Sequence, residues 1–143
     1  MVVLSIATIL LACGCVGNSL NSNPPEHIKA ISAIKQADGY QVYFILADQS
    51  GQETTSDGSY KMVIGDDKGS WVSRSKNVTK AEFQSVKIGM GAFEHDGIIY
   101  NVGIINNTVL DSAGLRGSGA GKVTVHFTTP VNRTLEGEET IFL

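Results

Sequence analysis

With 143 residues, 42% of them hydrophobic and 17% charged, the chain has room for one domain with a serviceable core, and its composition is neither disordered nor that of an integral membrane protein. A formal charge of −3 argues against a nucleic-acid partner, because such binders carry a basic patch that displaces counterions. Both cysteines, Cys13 and Cys15, fall at the start of the chain, so the rest contains no intradomain disulfide and no cysteine-based metal site.

Val2–Ala12 (VVLSIATILLA) is an apolar run. It is too short to cross a hydrocarbon core as a helix, which needs about 20 apolar residues, and its length suits the apolar stretch of a secretory signal. No basic residue occurs before Lys29, so either the true start lies further upstream or the signal is atypical. The run ends in Leu10-Leu11-Ala12-Cys13-Gly14-Cys15-Val16-Gly17-Asn18, which resembles the lipobox of prokaryotic lipoproteins. Gly14-Cys15-Val16-Gly17 looks in particular like the leaders of archaeal surface lipoproteins. The resemblance implies that a cysteine thiol takes a diacylglyceryl group and becomes the new N-terminus. Cys15, preceded by the small Ala12-Cys13-Gly14, is the better site; Cys13, behind Leu10-Leu11-Ala12, is the alternative. A plain secretory signal or a buried apolar strand competes with this reading.

On that basis residues 1–15 are a lipoprotein-type signal peptide, 16–26 a flexible tether and 27–143 the folded domain. Asn18–Pro25 (NSLNSNPP) is polar and ends in two prolines, as a tether should. The expected location is the extracytoplasmic face of the cell membrane.

His27–Gln36 reads as a helix or a strand, and Asp38-Gly39 decides for a strand, paired through a two-residue hairpin with Tyr40–Asp48. In Tyr40–Leu46 one parity is Tyr40, Val42, Phe44 and Leu46; in Tyr60–Ile64 it is Tyr60, Met62 and Ile64. A side-chain period of two with aromatic and β-branched residues marks strands that bury one face. Further strands are expected at Trp71–Ser75, Ala81–Ile88, Gly97–Ile105, Lys122–Thr128 and Glu139–Leu143. In Gly97–Ile105 the inward set is Ile98, Tyr100, Val102 and Ile104, and apolar Ile99 and Ile105 on the other parity make the strand a central one. In Lys122–Thr128, Val123, Val125 and Phe127 point inward. Seven or eight short strands separated by turn signals predict an all-β antiparallel sandwich. The run Val42–Asp48, then Gly51, Thr55-Ser56-Asp57-Gly58 and Met62-Val63-Ile64, resembles the opening strands of immunoglobulin-like or fibronectin-like domains. That resemblance implies an immunoglobulin-like sandwich from about Ile28 onward, without the antibody-type disulfide, since Trp71 has no cysteine partners.

Motifs that carry chemistry are sparse. Gly114–Lys122 (GLRGSGAGK) is glycine-rich, but Arg116 stands where a phosphate loop or a hydrolase elbow needs glycine, and a strand comes next, so an inter-strand loop is the better reading. Asp48, Asp57, Asp66 and Asp67 could ligate calcium only if they converged, and Asp in such turns serves local hydrogen bonding instead. His27, His95 and His126 lack ligand spacing and read as surface groups, His95 beside an expected turn at Asp96-Gly97. No catalytic constellation can be assembled, so a non-enzymatic module without cofactor is expected. Among the aromatics Tyr43 and Trp71 are the candidates to face a ligand such as a sugar. Asn77, Asn106 and Asn132 each begin a glycosylation sequon. The expected partners are the membrane, through the lipid anchor, and a protein or carbohydrate at the cell surface. An exported carbohydrate- or calcium-binding module, or an accessory subunit of a surface complex, is the alternative.

Overall fold

The computed structural model describes residues 21–69, 71–90 and 93–143, with the side chains of 88–90 and 93 excepted. The candidate lipidation sites Cys15 and Cys13, the signal segment and residues 16–20 of the expected tether lie outside the described residues. Nine strands are described: β1 (His27–Gln36), β2 (Gly39–Ala47), β3 (Glu53–Thr54), β4 (Gly58–Asp66), β5 (Trp71–Val78), β6 (Gln84–Met90), β7 (Phe93–Asn106), β8 (Ala120–Thr128) and β9 (Thr134–Phe142). A 3-10 turn at Lys80–Glu82 and a short helix α1 (Asn107–Ser112) complete the set.

The strands form two antiparallel sheets. One runs β1-β2-β7-β6 with the short β3 paired to β2; the other runs β5-β4-β8-β9. With β1, β2, β4, β6, β7, β8 and β9 lettered A to G in chain order, the sheets are ABED and CFG, and β5 adds a C′ strand. That is the strand order of an immunoglobulin-like sandwich.

The alternation read from the sequence builds the core. Val42, Phe44 and Leu46 of β2, Met62 and Ile64 of β4, and Val123, Val125 and Phe127 of β8 are all fully buried. Phe44 is at the centre: it stacks on Tyr100 at 5.0 Å between ring centroids and meets Tyr60 edge-on at 5.8 Å. Phe127 and Phe83 complete the cluster at 5.9 and 6.2 Å from Phe44. Aromatic burial of this kind supplies much of a small sandwich's stability.

The two lateral sides of the sandwich are closed differently. At β1 and β9, Gly137 backs directly onto Ile28 and Ile31, so the sheets meet through apolar groups. At β5, every second residue faces inward, and that parity reads Val72, Arg74, Lys76, Val78. Arg74 Nη1 donates to the carbonyl of Val102 at 3.3 Å, on the opposite sheet. Lys76 Nζ donates to Glu82 Oε1 at 2.7 Å and stands 5.8 Å from the Tyr100 ring centre. The bond between them holds the Glu82 carboxyl below its ordinary pKa and raises the lysine above its own. Inward-pointing charges on an edge strand are a known guard against pairing with another chain.

Several expectations are corrected. Ala81–Ile88 is not one strand: Lys80–Glu82 forms a 3-10 turn, capped by Thr79 and Glu82, and β6 starts at Gln84. The hairpin after β1 exists, but its two loop residues are Ala37 and Asp38, with Gln36 opposite Gly39. Asp96-Gly97 is not a turn but lies within β7, opposite Lys87 and Val86. The glycine is there because the Glu53 carboxylate crosses it, where a Cβ would collide, and Glu53 Oε2 accepts from the Ile98 amide at 2.6 Å. In β7 the register against β2 shifts at Val102, so the parity flips. Ile105 is therefore buried and Ile104 is 44% exposed, the reverse of the simple alternation. The last strand starts at Thr134 rather than Glu139.

Candidate functional site

β4 and β8 run between two ends of the sandwich, and the chemistry sorts onto those ends. Nine residues of β4 at about 3.3 Å each put the ends about 25–30 Å apart.

The described chain enters at the end where β4 starts and β8 stops. The Asn21 carbonyl accepts from the Thr55 amide at 3.0 Å and from the Thr55 hydroxyl at 3.2 Å. Asn21 Nδ2 and Asn23 Nδ2 both donate to Asp48 Oδ2 at 3.0 Å. Its other oxygen, Oδ1, accepts from the Ser50 amide, the Ser50 hydroxyl and the Gln52 amide at 2.9, 2.6 and 3.0 Å. These bonds, from Ser50 first and then the two asparagines, hold the Asp48 carboxyl well below the usual carboxylate range. Pro25 is buried, the Glu26 amide donates to Ala47 O at 2.8 Å, and Arg133 pairs with the Glu26 carboxylate. Residues 21–26, expected within the tether, are thus docked on the sandwich.

The other end, where β4 stops and β8 begins, carries Trp71. Cross-strand pairing sets one row across all four strands: Trp71 on β5, Gly65 on β4, Lys122 on β8 and Thr140 on β9. This row is on the outer face, since Ile64 and Val123 beside it are core. A Cβ on Gly65 would collide with Cε3, Cδ2 and Cζ3 of Trp71, so the six-membered ring lies over that glycine. The residue stays 52% exposed. A shallow cleft of about 380 Å³ opens beside it, bordered by Asp67, Ala120, Lys122 and Thr140. Beyond Thr140, on the same face, Phe142 is 77% exposed opposite Ala120.

The structure separates the two aromatics singled out from sequence. Tyr43 is half-buried on β2, opposite Ser32 and Asn101, on the outer face of the other sheet. Tyr43 and Trp71 therefore cannot contact one small ligand. Tyr40, Tyr60 and Tyr100 are buried; desolvation pushes the Tyr40 and Tyr60 hydroxyls up in pKa. Phe142 escaped the sequence reading because Ile141, Phe142 and Leu143 are all apolar and alternation cannot say which faces out.

The three sequon asparagines are all exposed. Asn77 is on the outer face of β5 opposite Ser59. Asn106 caps α1, its Oδ1 accepting from the Val109 amide at 2.9 Å. Asn132 sits in the β8–β9 turn with φ 61°.

The four aspartates do not converge. Asp48 and Asp57 are at the entry end and Asp66 and Asp67 at the other; Asp57 accepts from the Lys80 amide at 2.8 Å, and Asp66 from the Lys68 amide at 2.9 Å. Among the described residues no group of three His, Cys, Asp or Glu side chains is placed to hold a metal. His126 Nδ1 is 3.2 Å from Glu136 Oε2. His95 is more covered than a surface residue, with Nε2 3.4 Å from Glu53 Oε1 and Lys29 Nζ 3.2 Å from the same oxygen. The glycine-rich stretch is held by Leu115, which is fully buried and donates its amide to Leu110 O at 2.9 Å, while Lys122 belongs to β8. Among the described residues no helix is long and apolar enough to cross a membrane. No protein-family model, curated protein or solved structure matches the chain.

Proposed function

We propose that the chain is a lipid-anchored protein of the cell envelope whose immunoglobulin-like sandwich serves as a non-catalytic interaction or support module outside the cell. The observation that carries this reading is the junction between leader and domain. The lipobox-like Ala12-Cys13-Gly14-Cys15 precedes Asn21 by a few residues, and Asn21 is clamped to one end of the sandwich through Asp48 and Thr55. A lipid on Cys15, with Cys13 the alternative, would hold that end at the membrane, since six residues extend at most about 20 Å. The Trp71 end then faces away from the bilayer.

A second reading, an exported carbohydrate-binding module, is favoured by the half-exposed Trp71 ring beside its cleft. Mass spectrometry of the native protein extracted from membranes tests the anchor. The expected species begins at an acylated Cys15 and carries any glycans on Asn77, Asn106 or Asn132. An unprocessed, unacylated chain in the soluble fraction would overturn it.

A further inference from the structure

We propose that the outer face of the β5-β4-β8-β9 sheet, between Trp71 and Phe142, is a binding strip for a neutral oligosaccharide. This deepens the carbohydrate-binding reading of the Trp71 cleft, and its setting outside the cell rests on the proposed anchor. Three features converge on this ligand class.

The first is the shape. Trp71 and Phe142 stand on the two edge strands of the sheet, three strand spacings or about 15 Å apart. The Trp71 ring itself covers Gly65, and beyond it the floor is lowered at Ala120, which presents only a methyl group opposite Phe142. A strip of that length takes a short chain of sugars rather than a single ring. The second is the platform. With one side of the indole laid over Gly65, the ring offers a flat, half-exposed surface. An aromatic ring with a partly positive edge and a negative face attracts the polarised C–H groups on the apolar side of a pyranose. The third is the charge and hydrogen-bonding character. Lys122 on the floor is paired with Glu138 at 3.1 Å, while the acidic Asp66 and Asp67 border the cleft together with Thr140. A carboxylate accepts strongly from sugar hydroxyls and repels an anionic ligand. An acidic polysaccharide, a phosphate and a nucleic acid therefore fit poorly, and a neutral glycan fits well.

The chain contains a single tryptophan, so its fluorescence reports this strip alone. The test uses the full chain purified in a detergent without a sugar headgroup, titrated with neutral oligosaccharides of glucose, N-acetylglucosamine, mannose and xylose. The expected result is a saturable shift of Trp71 emission with at least one of them. By calorimetry with that sugar, Trp71→Ala and Phe142→Ala should each lower affinity by about tenfold or more, the equivalent of one aromatic contact, without moving the melting temperature appreciably. Gly65→Ala, which keeps the tryptophan but displaces its ring, should weaken binding as well. Absence of a saturable response to every sugar, or undiminished affinity in Trp71→Ala, would overturn the proposal. A lipidated chain that binds no sugar removes this inference and leaves the anchor; a sugar-binding chain without lipid does the opposite.

Discussion

The two ends of the sandwich are built on opposite plans. At the entry end, polar groups are consumed internally: the Asp48 carboxylate takes hydrogen bonds from Asn21, Asn23, Ser50 and Gln52, and Arg133 holds Glu26. At the far end, two large aromatic side chains are left in water, Trp71 and Phe142 being 52% and 77% exposed, whereas the entry end exposes the smaller Val131 of the β8–β9 turn. Tyr40, Phe44, Tyr60, Phe83, Tyr100 and Phe127, by contrast, are all buried. In the function we propose, the first end is the attachment and the second the surface for contact.

That contrast can be broken or sharpened by substitution. The largest effect is expected from Phe44→Ala, which empties the centre of the aromatic cluster between the two sheets. It should cost about 3–5 kcal/mol in denaturant unfolding, with all probes moving together. Asp48→Ala should act on one end alone. The segment at residues 21–26 loses its clamp and becomes protease-sensitive, while Trp71 emission stays unchanged. Acid should do the same to the native protein. Because the Asp48 carboxyl is depressed when folded, its stabilising contribution is complete above the ordinary carboxylate value of about 4 and is lost as pH falls below that toward the folded value. Limited proteolysis between pH 5 and pH 2 should thus show cleavage near residue 21 before the sandwich unfolds.

Arg74→Val addresses the open lateral side rather than either end. Removing an inward charge from β5 should leave the monomer folded but promote strand-to-strand association, seen as concentration-dependent sedimentation. The smallest effect is expected from Lys122→Ala, which breaks only the exposed pair with Glu138. Stability should change by less than about 0.5 kcal/mol.

The framework of the fold was legible because β2, β4 and β8 alternate cleanly, and a period of two fixes which face is buried. What escaped was whatever local patterning does not encode. Val102 as a bulge flips the second half of β7, and its one local mark is Gly103 with φ 102°, a lone glycine inside an apolar run. Gly97 carries a turn signal but serves the close approach of Glu53, a residue 44 positions earlier in sequence. Helix α1 has six residues, too few for a helical period to show, and is fixed instead by the Asn106 cap and the buried Leu110. Trp71 was visible as a candidate, whereas Phe142 and the docking of Asn21 depend on partners far along the chain.

The account is tested most directly by the depth of Trp71 relative to the membrane in the native, membrane-bound protein. Iodide in the aqueous phase should quench its fluorescence, and quenchers carried on lipid acyl chains should not. Quenching from within the bilayer, or a protein that washes free of the membrane, would contradict the assignment of the two ends.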